Sequence, residues 1–291
     1  MKTIKFLVFA IIATMAFTAC SNDDEPTMGI SDDIVQINSL INGSRTKAVI
    51  NGYTGEGYFE NGDILGLYTS VDSYIDELPY TIGSTTLLWK DLSETNPVTF
   101  SAYYPRSSSY IFDPENYIFN AATATEPDLL VATPVTKSKG QGVDLSFNHI
   151  MHQLIIQLSK GTEIPGSLFD AKVTLLNMKS SAKVNLLTGA IDVSAASGTD
   201  AYSVKDASEI FVVAPQQLIA DRDWIKIELA GKTYTFKVPT GLTELKSGKR
   251  LTLSLTLTKK PDGTAAVALT NQGISTWIDQ QPMIEEDANE N

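Results

Sequence analysis

The residues with chemical potential are few. His149 and His152 are the only imidazoles, and Cys20 is the single thiol in 291 residues. An H-x-x-H pair would suit a metal if it lay on a helix. The surrounding run "VDLSFNHIMHQLIIQL" reads as one strand, where positions i and i+3 point to opposite faces. The two histidines are therefore expected to be packed or capping residues near a domain junction. No G-x-S-x-G is present, and with histidines only at 149 and 152 no Ser-His-Asp order can be argued. "LKSGKR" lacks both the leading glycine and the following Ser or Thr of a phosphate-binding loop, and "GYTGEGYFENG" does not open a helix after a strand, so both read as turns. The acidic pairs Asp32-Asp33 and Glu285-Glu286 are neighbours on exposed segments and cannot flank one sugar bond. No enzyme, cofactor or metal site is expected.

Cys20 has a clearer purpose. Lys2 and Lys5 precede the apolar stretch "FLVFAIIATMAF", and the small residues Thr18 and Ala19 stand just before the thiol. That is the layout of an export signal. The stretch is shorter than the roughly 20 residues of a spanning helix, and "FTAC" resembles the lipobox at which a bacterial lipoprotein is cut and acylated. Diacylglycerol on the thiol plus an amide-linked chain would give the two anchoring signals that stable attachment needs. A plain secretory signal with an accidental cysteine is the alternative.

Composition narrows the partners. The formal net charge is −12, and removing Lys2 and Lys5 with the signal makes it two units more negative. Such a surface argues against nucleic acid and anionic lipid, which are polyanions. With no second cysteine, no disulfide can staple the fold, so it must rest on apolar burial. The length suggests two domains.

Apolar residues repeat with a period of two. In "LTLSLTLT", Leu251, Leu253, Leu255 and Leu257 alternate with hydroxyl residues, the pattern of a half-buried strand. "DWIKIELAGKTYTFKVP" reads as a hairpin turning at Gly231. Further strands are expected in "DIVQINSLI", "DILGLYTS", "VTFSAYYP", "DLLVAT", "AKVTLLNM", "AKVNLLTGAIDV", "EIFVVAP" and "VALTNQGISTWI". The chain is thus expected to be all-β and of sandwich type, with helix scarce and short. The expected organisation is a lipoprotein signal peptide over 1–19, a tether over 20–31, an N-terminal β-sandwich domain over 32–147, a C-terminal one over 148–280, and an acidic tail over 281–291.

Taken in order, "WKDL...VTFSAYYP", "DLLVATPVTKSKGQGVDLSFNHIMHQLIIQL", "VNLLTGAIDV", "FVVAPQQL", "LTELKSGKRLTLSLTL" and "ISTWID" resemble the fimbrillin (Mfa-like, FimA-like) family of Bacteroidetes surface proteins, from about residue 32 to residue 279. The tract "SNDDE" after Cys20 likewise resembles the signal that sends Bacteroidetes lipoproteins to the outer face of the outer membrane. The resemblance implies two transthyretin-like β-sandwich domains of Greek-key type in tandem. It also implies export as a lipidated precursor and polymerisation into fimbriae after a trypsin-like protease cuts beyond the first strand. The implied partners are other fimbrial subunits, that protease, and the outer membrane through the lipid.

The residues allow such a mechanism. Val35, Ile37 and Ile41 share one face of the expected first strand, and Arg45-Thr46 follows in what should be an exposed turn. A cut there would remove lipid, tether and strand together and open an apolar groove, which a strand from another subunit could refill. Head-to-tail contacts of that kind do not close, so they make filaments. "PMIEEDANEN" is too polar to fill a groove, leaving Val267, Leu269, Ile274, Trp277 and Ile278 as the candidate donor strand. The competing reading is a monomeric surface-anchored lipoprotein that binds glycan or host protein, with the tyrosines of the first half stacking on sugar rings.

Overall fold

The alternation of Leu251 to Leu257 with Thr and Ser forms the longest strand in a computed structural model of the chain, which describes residues 33–42, 58–124, 128–197, 201–205 and 208–273. In chain order the strands are β1 Ile37–Ile41, β2 Ile64–Val71, β3 Tyr74–Thr81, β4 Val98–Tyr104, β5 Tyr117–Asn120, β6 Leu130–Ala132, β7 Val135–Lys137, β8 Val143–His149, β9 His152–Lys160 and β10 Lys172–Leu176. They continue as β11 Ser181–Val184, β12 Ile191–Ser197, β13 Ala201–Lys205, β14 Ser208–Val213, β15 Gln216–Gln217, β16 Asp223–Leu229, β17 Lys232–Lys237, β18 Glu244–Leu245, β19 Arg250–Lys259 and β20 Ala265–Gly273. Helix among the described residues is one turn, α1 Trp89–Leu92, and two short 3-10 segments, Pro114–Asn116 and Leu168–Asp170. The chain is all-β, as its period-two patterning requires.

The first half builds a seven-stranded sheet in the order β1-β8-β6-β4-β2-β3, with β7 also paired to β4. Leu65, Leu67, Phe100, Ala102, Leu145 and Phe147 project from one face into a buried core that Trp89 joins, its ring 5.8 Å from that of Phe100. The second half builds the sheets β14-β9-β19-β20 and β13-β10-β16-β17, which enclose a second core around Leu154, Ile156, Trp224, Ile225 and Leu255. The hairpin foreseen at Gly231 turns through Ala230 and Gly231, both at positive φ, the geometry that matches strand twist.

Two expected strands are each divided. "VDLSFNHIMHQLIIQL" is not one strand but β8 and β9, in different sheets. The break falls where backbone bonds turn crosswise. Ile150 N donates to Leu129 O at 2.9 Å, and Met151 O accepts from Gly248 N at 3.0 Å. "AKVNLLTGAIDV" likewise turns at Asn185 to Ala190 between β11 and β12. A third core around Tyr68, Tyr103, Phe119, Met151 and Val184 takes residues from both sides of the expected 147/148 boundary, and β5 of the first half pairs with β11 of the second.

Candidate functional site

The element of most functional interest is β1, because its apolar residues are spaced for one face and, among the described strands, it pairs along one edge only. Val35 and Ile41 are buried and Ile37 is half-buried, all packed in the first core. Leu40 points the other way and is 64% exposed. β1 runs parallel to β8, with Ile37 opposite Val143 and Ile41 opposite Phe147. No described strand pairs with its other edge. Val143 N donates to Gln36 O at 2.8 Å and Asn42 N to Phe147 O at 2.8 Å, bracketing the ladder.

The lead-in to β1 is clipped to the segment before α1. Trp89 N donates to Asp33 O at 2.7 Å and Val35 N to Leu87 O at 2.9 Å, while Lys139 Nζ lies 3.2 Å from Asp33 Oδ1. Each fully buried apolar side chain contributes about 1.5–3 kcal/mol. Against that stands about 1–2 kcal/mol per residue for ordering backbone. A short strand with one bonded edge is thus among the locally weaker elements of a fold. Beside it, opposite Ile37, Ser39 and Ile41, stand Val143, Leu145 and Phe147 of β8, all fully buried, with Phe59 set edge-on to Phe147 at 4.7 Å. If β1 left, the core that Val35, Ile37 and Ile41 cover and the freed edge of β8 would form an apolar groove with unpaired backbone groups.

Of the other foreseen residues, Val267 and Leu269 lie on β20 opposite Leu257 and Leu255 of β19, half-buried against the second core. β20 is itself an outer strand of its sheet. Cys20, Arg45, Thr46, Ile274, Trp277 and Ile278 lie outside the described residues, as do the signal, the tether and the acidic tail. His149 and His152 stand on different strands. His149 Nδ1 is 2.5 Å from Asp128 Oδ2, and His152 Nδ1 donates to Lys246 O at 2.9 Å. Complete burial holds His152 far below the usual imidazole range, at a pKa of about 4. The described residues contain no group of three or more His, Cys, Asp or Glu placed to hold a metal, and no helix long and apolar enough to cross a membrane.

One buried polar cluster was not foreseen. Glu77 Oε1 accepts from Tyr103 Oη at 3.0 Å and pairs with Arg106 Nε at 3.3 Å, while Glu77 Oε2 accepts from Ile111 N at 3.4 Å. A Cβ at Gly66 would fall 1.9 Å from the Tyr103 ring, so only glycine leaves room for it. Burial, reinforced by the Glu77 charge, pushes the Tyr68 and Tyr103 hydroxyls well above the usual phenol range. The cluster pins the segment carrying Tyr110 and Phe112, which are 53% and 92% exposed and meet edge-to-face at 5.1 Å. A lone Glu in "YIDELPYT" carries no signal of this.

The profile of a family described as fimbrillin-like matches residues 35–277. Among solved structures, a candidate cell adhesion protein from Bacteroides ovatus ATCC 8483 is 18% identical with a TM-score of 0.58, covering 85% of this chain and 99% of its own. A second, from Bacteroides uniformis ATCC 8492, is 16% identical with a TM-score of 0.56 over 84% of this chain and 99% of its own. A third, from Bacteroides thetaiotaomicron VPI-5482, is 20% identical with a TM-score of 0.51 over 76% and 91%. At these identities the likeness is one of fold. No curated protein sequence matches the chain.

Proposed function

We propose, from the premise that this chain belongs to the fimbrillin-like family, that it is a structural subunit of a bacterial cell-surface fimbria, exported as a lipoprotein through Cys20 and assembled by strand exchange in the service of adhesion. In this reading the N-terminal half over 32–147 is the receiving domain. A trypsin-like protease cuts after Arg45, the segment before the cut leaves with its lipid, and a strand from another subunit takes its place beside β8. The observation that carries the reading is that β1 pairs along one edge only among the described strands. A strand bonded along one edge only can leave without dividing its sheet.

The donor is the less defined half of the exchange. Val267 and Leu269 are engaged with β19 of their own chain, so any donor built on them must first leave that pairing. A subunit whose own tail stays at home would serve at an end of the filament, receiving a strand without passing one on. The second reading, a monomeric surface lipoprotein that binds glycan or host protein, draws on the exposed pair Tyr110 and Phe112.

Limited trypsin digestion of the delipidated protein followed by size analysis tests the choice. The fimbrial reading expects a cut after Arg45 and then multimers that resist denaturant. A trimmed chain that stays monomeric at high concentration would overturn it in favour of the binding module.

A further inference from the structure

The groove under β1 carries more than apolar complementarity. On the outer face of the β1–β8 pair, Asn38 Nδ2 donates to Asp144 Oδ1 at 2.9 Å, and four residues on Asn42 Nδ2 donates to Asn148 Oδ1 at 2.8 Å. Asn148 in turn donates its own Nδ2 to Thr133 Oγ1 at 3.2 Å, which turns its carbonyl oxygen towards β1. β8 therefore presents two acceptors, a carboxylate and an oriented amide oxygen, on alternate outward positions flanking Ser146. The inner face sets a second condition: Val35, Ile37 and Ile41 fill the core while the small Ser39 stands opposite Leu145.

We propose that Asp144 and Asn148 are specificity-determining residues that select, by direction and register, a strand bearing hydrogen-bond donors at two outward positions four residues apart. This rests on the reading of β1 as replaceable. Main-chain bonds alone are the same in every register, and a slip of one residue turns every side chain to the wrong face. A slip of two preserves the faces, and there the outer pairs add to the inner fit of Ser39 opposite Leu145 in telling right from wrong. An acidic residue opposite Asp144 sets two carboxylates together with no donor between them. The groove thus rejects acidic segments such as Glu285-Glu286-Asp287 of this chain. Discrimination is weaker opposite Asn148, because that amide can rotate and offer its nitrogen instead, giving up Thr133.

The test uses the full-length chain after trypsin treatment and fluorescent peptides spanning residues 33–44, with retention of label on the protein read by gel filtration. The wild-type peptide should be retained. Asn38→Asp should weaken retention about tenfold and Asn42→Asp about threefold, the scale of one lost hydrogen bond with and without a repelling charge. In a chain carrying Asp144→Asn, the penalty for Asn38→Asp should largely vanish, as a coupled pair requires. Equal retention of wild-type and Asp peptides would overturn the selection while leaving a replaceable strand intact. Retention of none, the wild-type peptide included, would overturn both.

Discussion

Both halves of the molecule place their first strand parallel to a late one, yet they treat it differently. In the first half β1 lies beside β8, and in the second β9 lies beside β19 with Leu154 opposite Leu251 and Ile156 opposite Leu253. β9 is also bonded on its other side, where β14 runs antiparallel from Gln157 to His152. β1 has no such second partner among the described strands. The same parallel pairing therefore gives an interior strand in one half and, among the described strands, an outer one in the other. A strand with two bonded edges leaves only by taking its sheet apart, whereas one with a single bonded edge leaves a groove behind.

The comparison can be broken or sharpened by substitution. Leu154→Ala, on β9 in the second core, should cost about 4 kcal/mol and lower the urea midpoint of the whole cooperative transition. Next in size is an acid effect confined to the join between the halves. His152 is held neutral by burial, with a pKa of about 4, so below the unfolded value near 6.5 the unfolded chain takes a proton that the folded one refuses. Its stabilising effect is complete above about pH 6.5 and falls by about 3 kcal/mol as the pH drops to about 4. His152→Gln should flatten that part of the stability profile relative to wild type, as measured by urea titration at each pH.

On β1, Ile41→Ala should cost about 2 kcal/mol, expressed mainly as faster amide exchange in residues 37–42 and along β8, with a smaller change in the urea midpoint than Leu154→Ala produces. The smallest effect belongs to Lys139→Ala. Its partly exposed pair with Asp33 should contribute no more than about 0.5 kcal/mol, seen as a slight rise in exchange at Trp89 N and Val35 N.

Much of this contrast is legible in the residues, because period-two alternation reports burial directly. Leu251 to Leu257 and the apolar face of Val35, Ile37 and Ile41 announce strands and their inward sides without help from tertiary structure. Partner and edge are another matter: nothing local in "DIVQINSLI" says that β8, a hundred residues away, lies on one side of it. β3 is not legible in the sequence because its turn, Asp72-Ser73, takes positive φ without a glycine and because Pro79 interrupts the strand. The histidine run reads as one strand because Ile150 and Met151 are as apolar as their neighbours. Their backbone groups are diverted by Leu129 and Gly248, which only the fold brings near. The Glu77 cluster depends on contacts across β2, β3, β4 and the following loop, so no spacing rule could assemble it.

The most direct test of a replaceable first strand is native-state hydrogen exchange on the full-length chain at rising, sub-denaturing urea, comparing the amides of β1 with those of β9. The account predicts that β1 exchanges through a sub-global opening at least about 2 kcal/mol cheaper than global unfolding and with a clearly smaller urea dependence, while β9 exchanges only with the whole. Identical opening free energies and identical urea dependence for the two strands would contradict it.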